Sequence, residues 1–267
     1  MSEGLRRFLE EDVGGGDVTT ELTVPPGNAR GTVFCEGDAV IAGMEEAVGI
    51  FGLMGVECQV LVNDGKSVEK GAPVMTVSGP KASILTCERT ALNFLMRMSG
   101  IATATSLASR LCAPTKVAGT RKTTPGFREY EKKAIALGGG LPHRHGLYDA
   151  VLIKDNHIKA AGGLAEAMEA ALEAPCSMPV EVEVETLGDA VTAAKMGADA
   201  ILVDNLPPAR VAAIRDAVKN INAKITVEAS GGVDIDNVAS YSGSADVISM
   251  GSLTHSVRAI QFSLDLE

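Results

Sequence analysis

Residues 179–204 read PVEVEVETLGDAVTAAKMGADAILVD, and the succession of patterns within them decides the fold class. A period-two run places Val180, Val182 and Val184 on one face and Glu181, Glu183 and Glu185 on the other. An Ala-rich helical run follows, and then a second short apolar run, AILV at Ala200–Val203. That is one parallel βα unit, and the same alternation extends to both sides. AVLI (Ala150–Ile153) precedes the helical LAEAMEAALEA (Leu164–Ala174). After LGDAVTAAKMGA (Leu187–Ala198) come the helix PPARVAAIRDAVKN (Pro207–Asn220), then KITVE (Lys224–Glu228) and DVISM (Asp246–Met250). Units of about 20 to 30 residues suit an α/β barrel or a doubly wound sheet. No GxGxxG follows the first of these strands, so the barrel is preferred. If the valines of PVEVEV pack against outer helices, the glutamates point inward; the alternative is an edge strand with a solvated acidic face.

The first hundred residues read differently. Gly31–Ala42 and Gln59–Val77 give short alternating strands, with Asn63-Asp64-Gly65 as a hairpin turn signal, which predicts a separate sheet-containing domain. A helix over Thr86–Met98 links it to the barrel and puts Arg89 in its first turn, where the helix dipole disfavours a cation. DGKSVEKGAPV resembles the hairpin of lipoyl or biotinyl carrier domains, which would make Lys66 a modified residue; the plainer reading is a pair of turns that each need glycine.

With 267 residues, 46% of them hydrophobic, the chain can bury a barrel-sized core and a smaller companion. A formal charge of -10 and an aromatic content of 3% argue against nucleic-acid binding, which needs a basic face and stacking rings. No stretch reaches the roughly 18 apolar residues of a membrane span, and the N-terminus turns acidic before a signal-peptide core could form. A cytoplasmic protein is expected. Cys35, Cys58, Cys87, Cys112 and Cys176 form no CxxC pair and read as reduced, buried thiols.

Between Lys116 and Lys159 stand nine Lys or Arg against four acids, a focused positive field inside an acidic chain. Arg128, Glu129, Glu131, Lys132 and Lys133 read as an ordinary solvated helix face. Arg121, Lys122, Arg144 and Lys154 instead stand at element edges, in KVAGTRK, GGGLPHRHG and VLIKDNH. Four cations converging at a barrel mouth repel one another unless an anion joins them. Arginine offers forks for carboxylates, lysine a point charge for phosphate. His143, His145 and His157 invite a metal reading, against which stand a substrate hydrogen bond by His143 and structural roles. Asp204, just past AILV, can join Glu183 near a sugar hydroxyl or a developing cation. Ala229-Ser230-Gly231-Gly232 and Gly251-Ser252 follow the last two strands, where small residues let backbone N–H groups approach a phosphate.

The assembled motifs resemble the quinolinate phosphoribosyltransferase family. They run nearly end to end: EDVGGGDVTT, GDAVIAG, NDGKSVEKG, ERTALNFLMRMSGIAT, GTRKTTPGFR, GGGLPHRHGLYDAVLIKDNH, PVEVEVE, ILVDN, VEASGG and DVISMGSLTHS. The resemblance implies an N-terminal α/β sandwich domain over residues 1–105, which the tail 257–267 can join, and an incomplete α/β barrel over 106–256. It implies transfer of phosphoribosyl from phosphoribosyl pyrophosphate to quinolinate with decarboxylation, in NAD biosynthesis, with Mg2+, by a homodimer with shared sites or a higher oligomer. Arg121, His143, Arg144 and Lys154 would hold the two carboxylates, with Arg89 arriving from the partner subunit. Lys122 would lie near the pyrophosphate. Glu183 and Asp204 would be the ribose- and magnesium-side carboxylates, magnesium being carried mainly by substrate. Ser230, Gly231, Gly232 and Gly251 would form the 5-phosphate loop, supported by His255. The chain departs from the family at Leu141-Pro142. The rival readings are a same-fold phosphoribosyltransferase acting on another acceptor, nicotinate or that of the molybdenum-transport-associated relatives, and a carrier or anion-binding module.

Overall fold

The computed structural model describes residues 2–175 and 178–267, so Cys176 lies outside the described residues. In chain order the elements are α1 (Ser2–Val13), α2 (Val18–Thr23), β1 (Asn28–Cys35), β2 (Ala39–Val40), α3 (Met44–Leu53), β3 (Glu57–Val60), β4 (Ser67–Val68), β5 (Ala72–Pro80) and α4 (Lys81–Leu111). They continue as β6 (Lys116–Ala118), α5 (Arg128–Leu137), β7 (Val151–Ile153), α6 (Asp155–Ala161), α7 (Leu164–Glu173), β8 (Val180–Val184) and α8 (Leu187–Met196). The chain ends with β9 (Ala200–Asp204), α9 (Pro208–Ile221), β10 (Thr226–Ser230), β11 (Val247–Ser249), α10 (Ser252–His255) and β12 (Phe262–Leu266). Two compact units result: Met1–Ala104 with Val257–Glu267, and Thr105–Ser256.

The first unit is built on a four-stranded antiparallel sheet in the order β12-β1-β5-β3. β1 is paired along both edges, and Val33 and Cys35 in its second half are wholly buried. The turn at Asn63–Lys66 forms, with Gly65 at φ 81°, but it is not a hairpin: β3 before it pairs with β5, and β4 after it pairs with β2. Gly71, at φ 85°, makes the second turn. The segment around Lys66 thus feeds two different sheets, unlike the carrier hairpin it resembles. Helix α4 begins at Lys81, five residues before the expected start, so Arg89 lies well inside it and the helix dipole carries no argument there. The apolar spacing of Ile84, Cys87, Ala91, Leu95, Met98 and Ala102, all buried, is what sustains the longer helix.

In the second unit the six strands are all parallel, in the order β6-β11-β10-β9-β8-β7. Each of β7 to β11 lies beside its sequence neighbour, and β6 pairs with β11. This is an incomplete α/β barrel: no ladder joins β6 to β7 among the described residues, and Leu141 instead bridges to Ala118 of β6. On β8 the valines are buried while Glu181 and Glu183 are half-buried on the opposite face; Glu185 is exposed beyond the strand's end. Helix α8 starts where the Thr186 hydroxyl accepts the Asp189 N–H at 3.1 Å and stops at Gly197, whose φ of 101° only glycine adopts readily. Proline at the first position of α9 loses no helical bond. Strand ends differ from the expected ones by one or two residues. β10 starts at Thr226 and runs on to Ser230, while β11 spans Val247–Ser249, with the Asp246 carboxylate just before it accepting the Val227 N–H at 2.8 Å.

Cys35, Cys87 and Cys112 are buried free thiols, whereas Cys58 is only half-buried. Among the described residues no helix is long and apolar enough to cross a membrane.

Candidate active site

Because the barrel strands are parallel, their C-terminal ends lie on one side, and the chemistry-bearing residues leave the sheet there. Glu183 sits one residue from the end of β8, Asp204 and Ser230 end β9 and β10, Lys154 follows β7, and Arg121 and Lys122 follow β6. A cavity of about 470 Å³ opens among them. Arg121, Lys122, His143, Arg144 and Lys154 line it, as do Glu183, Asp204, Ser230, Gly231 and Gly232. Gly251 stands just behind, where a Cβ would come within 2.9 Å of the Lys122 side chain and 3.1 Å of His255 Nε2. Arg89 belongs to the other unit; its side chain is 59% exposed and 3.9 Å from Glu88.

One half of the cavity is cationic. The Nε of Arg121 is buried and has no hydrogen-bond partner. Arg144 gives one bond, from Nη1 to the Ala150 carbonyl at 3.2 Å, and burial together with the Arg121 charge pulls its pKa down. A buried donor left empty beside a like charge is unfavourable by a few kcal/mol at most sites, and an anion placed between the two relieves both terms. The opposite half is mixed. The Lys154 ammonium donates directly to Glu183, and Asn205 Nδ2 donates to Asp204 at 2.6 Å. Burial, then the Glu183 charge, raises the Asp204 carboxyl above its ordinary value. Beyond them Gly231 and Gly232, at φ 89° and 63°, turn the chain back against Asn205.

Under the cationic half lies a cluster whose members sequence patterns did not join. His143 Nε2 is 3.3 Å from Glu228 Oε1 and 3.7 Å from Glu181 Oε2. Its Nδ1 accepts the Arg144 N–H at 2.9 Å, which fixes the proton of the neutral ring on Nε2, facing the acids. The hydrogen bond to Glu228 raises the His143 pKa against the pull of burial, and burial with the Glu228 charge pushes Glu181 up to about 7. The donor atoms of these three residues lie within 4.8 Å of one another. His145 and His157 stand apart from that group. The His145 carbonyl receives Arg128, and His157 Nδ1 accepts the Lys154 N–H at the start of α6.

Glu131 and Lys132 overturn the solvated reading of their helix, for both are wholly buried. The periodicity contains the signal: they sit four and three residues before Ile135, on the same face of α5 as Ala134. Glu228, buried in the middle of a strand covered on both faces, carried a similar signal, since an acid there needs partners. It has one in the Ser249 hydroxyl, which donates to its carboxylate.

An α/β barrel with anion-seeking cations and a glycine turn at its strand ends belongs with the barrels that act on phosphorylated substrates. Two family models cover the chain: quinolinate phosphoribosyl transferase, N-terminal domain, at residues 17–99, and quinolinate phosphoribosyl transferase, C-terminal domain, at residues 101–265. The chain belongs to the quinolinate phosphoribosyltransferase family. It is 41% identical to a probable carboxylating nicotinate-nucleotide pyrophosphorylase of Archaeoglobus fulgidus, across 93% of this chain and 97% of that one. It is 38% identical to the human carboxylating nicotinate-nucleotide pyrophosphorylase, across 97% and 89%. The crystal structure of NadC from Streptococcus pyogenes superposes with a TM-score of 0.92 at 37% identity, covering 99% of this chain and 95% of that one.

Proposed function

We propose that this chain transfers the phosphoribosyl group of phosphoribosyl pyrophosphate to the ring nitrogen of quinolinate and releases pyrophosphate and CO2, giving nicotinate mononucleotide. The observation that carries the reading is the unpartnered Arg121 Nε beside Arg144, a pair suited to a small aromatic dicarboxylate. Family membership supports it.

The residues divide the work by position. Arg121 and Arg144, with His143 and Lys154 at the borders, bind the two carboxylates and orient the ring nitrogen toward the anomeric carbon, which supplies proximity. Ser230, Gly231 and Gly232, with Gly251 and His255 behind, receive the 5-phosphate, and Lys122 holds the pyrophosphate as it leaves. Glu183 and Asp204 steady the cationic sugar of the transition state. They are also hard oxygen donors of the kind magnesium takes together with substrate phosphates, and the raised Asp204 pKa marks charge that a divalent ion would offset. Held there with the substrate phosphates, magnesium would supply positive charge against the departing pyrophosphate. Arg121 and Arg144 stabilise the negative charge that loss of CO2 leaves on the ring carbon, until a proton from water takes the place of the lost carboxylate.

The proposal includes a homodimer in the cytoplasm, with the partner's Arg89 completing the quinolinate site. The exposed Arg89 guanidinium and the free thiols are consistent with it. Purified protein incubated with quinolinate, phosphoribosyl pyrophosphate and magnesium should yield CO2 and nicotinate mononucleotide in equal amounts. Turnover of nicotinate but not of quinolinate would replace the proposal with the same-fold rival.

A further inference from the structure

Helix α5 touches both loops that bear the cations of the site, and does so with three polar side chains. Arg128 donates from Nε to Thr123 Oγ1 at 2.9 Å and from Nη1 to the His145 carbonyl at 3.1 Å. Glu131 accepts the Thr124 N–H at 3.1 Å and the Thr124 hydroxyl at 2.9 Å. Lys132 donates to the Pro142 carbonyl and reaches the His143 carbonyl at 3.4 Å. Thr123 and Thr124 directly follow Arg121 and Lys122, while Pro142 and His143 directly precede Arg144. The helix is therefore a bracket between the two loops.

His143 has φ 56°, a left-handed conformation that a residue with a Cβ holds only where its surroundings demand it. That turn is what aims the imidazole at Glu228 while the Arg144 side chain enters the cavity. The ammonium of Lys132 occupies the carbonyls on either side of the His143 peptide nitrogen.

We propose that Lys132 is a positioning residue of the quinolinate half of the site: by binding the Pro142 and His143 carbonyls it holds the left-handed turn that sets His143 and Arg144 for a dianionic substrate. The inference rests on the quinolinate reading given above. A wholly buried ammonium is an unfavourable way to fill space, since methionine matches its length without a charge to desolvate, so its value lies in the two carbonyls. The groups facing it are mostly of its own sign. Burial first, then Arg128, Arg121 and Arg144, pull its pKa down to about 8, with Asp149 opposing, and the imidazole of His143 lies next to it as well. A dicarboxylate bound at Arg121 and Arg144 offsets those charges and favours the protonated lysine. Loop and substrate then stabilise each other.

The test compares wild type, Lys132→Met and Lys132→Arg in steady-state kinetics for both substrates, at pH values on either side of 8. It adds spectra of 15N-histidine in the substrate-free chain, where His143 is one of four histidines. Lys132→Met is expected to raise KM for quinolinate about 10- to 100-fold, with KM for phosphoribosyl pyrophosphate within about threefold of wild type. In wild type, kcat/KM for quinolinate falls as pH rises through the lysine's pKa; the methionine variant lacks that limb, and Lys132→Arg moves it beyond the measured range. The His143 ring signals alone shift in the methionine variant. An unchanged quinolinate KM, equal losses for both substrates, or an alkaline limb that stays in place in either variant overturns the proposal. If Lys132→Met does not fold, Lys132→Arg decides through the limb. If wild type turns over no quinolinate, the functional reading fails by itself, and the histidine spectra still decide whether Lys132 sets His143.

Discussion

A Cβ placed on Gly231 would stand 2.3 Å from Asn205 Oδ1 and 2.7 Å from Asn205 N. The two residues lock the glycine turn onto the end of β9, where Asn205 N donates to the Ser230 carbonyl at 2.9 Å and Asn205 itself has φ 54°. Gly231→Ala meets a backbone clash and an unfavourable φ together, so it should cost about 1–3 kcal/mol of stability. Phosphoribosyl pyrophosphate binding should weaken more than quinolinate binding. Gly232, with φ 63° but open space around it, should cost only about 1–2 kcal/mol when changed to alanine. Thermal unfolding and the two KM values check the ranking; a Gly232→Ala more damaging than Gly231→Ala would show that the contact with Asn205 is not what shapes the turn.

Arg121 should separate function from stability. Its Nε has no partner to lose, and its charge repels Arg144, so Arg121→Met should leave unfolding free energy unchanged or raise it by up to about 1 kcal/mol. Quinolinate affinity should fall at least about 100-fold, or about 2.7 kcal/mol. Arg144→Ala should likewise abolish quinolinate turnover. Isothermal binding and urea unfolding on the same samples read both effects. A destabilised Arg121→Met with normal quinolinate binding would assign that arginine to the scaffold.

Ser99 tests how the first unit is held. Its hydroxyl accepts the Ala42 N–H at 3.0 Å and donates to the Ala42 carbonyl at 3.1 Å, and both residues are wholly buried. Ser99→Ala orphans a donor and an acceptor at once, so a loss of about 1–3 kcal/mol is expected in denaturant unfolding, with both KM values unchanged.

The barrel strands were legible because burial writes itself into local period, as in the valines and glutamates of β8. The phosphate turn was legible because Gly231 and Gly232 need backbone freedom just past a strand. The start of helix α4 is faint in the sequence because its first turn, Lys81–Ile84, holds one buried apolar residue, and only the spacing from Ile84 to Cys87 and Ala91 extends the pattern. Glu131 and Lys132 look solvated when charge is counted along the chain, and buried only when it is counted around the helix, where Ile135 shares their face. For Glu228 the local pattern signals that the buried acid needs a partner, but nothing local identifies that partner as His143. Their pairing arises because β10 lies in the middle of the sheet while the His143 turn comes from the loop beside β6, a proximity that only the tertiary fold creates.

The dimer proposal can be tested by subunit mixing. Arg89→Ala and Arg144→Ala chains should each be inactive on quinolinate alone. If the partner's Arg89 completes the site, a mixed dimer holds one barrel with Arg144 intact that faces a partner with Arg89 intact, while its second barrel lacks both. Random reassortment makes half the dimers mixed, each with one of two sites restored, so equal mixing should recover roughly a quarter of wild-type activity. If Arg89 instead serves the barrel of its own chain, every site in the mixed dimer lacks one arginine and nothing is recovered. Mixing after mild denaturation and refolding, with native mass spectrometry to confirm the mixed species, distinguishes the two outcomes. Absence of recovery in samples shown to contain mixed dimers would remove Arg89 from the shared site while leaving the roles of Arg121 and Arg144 untouched.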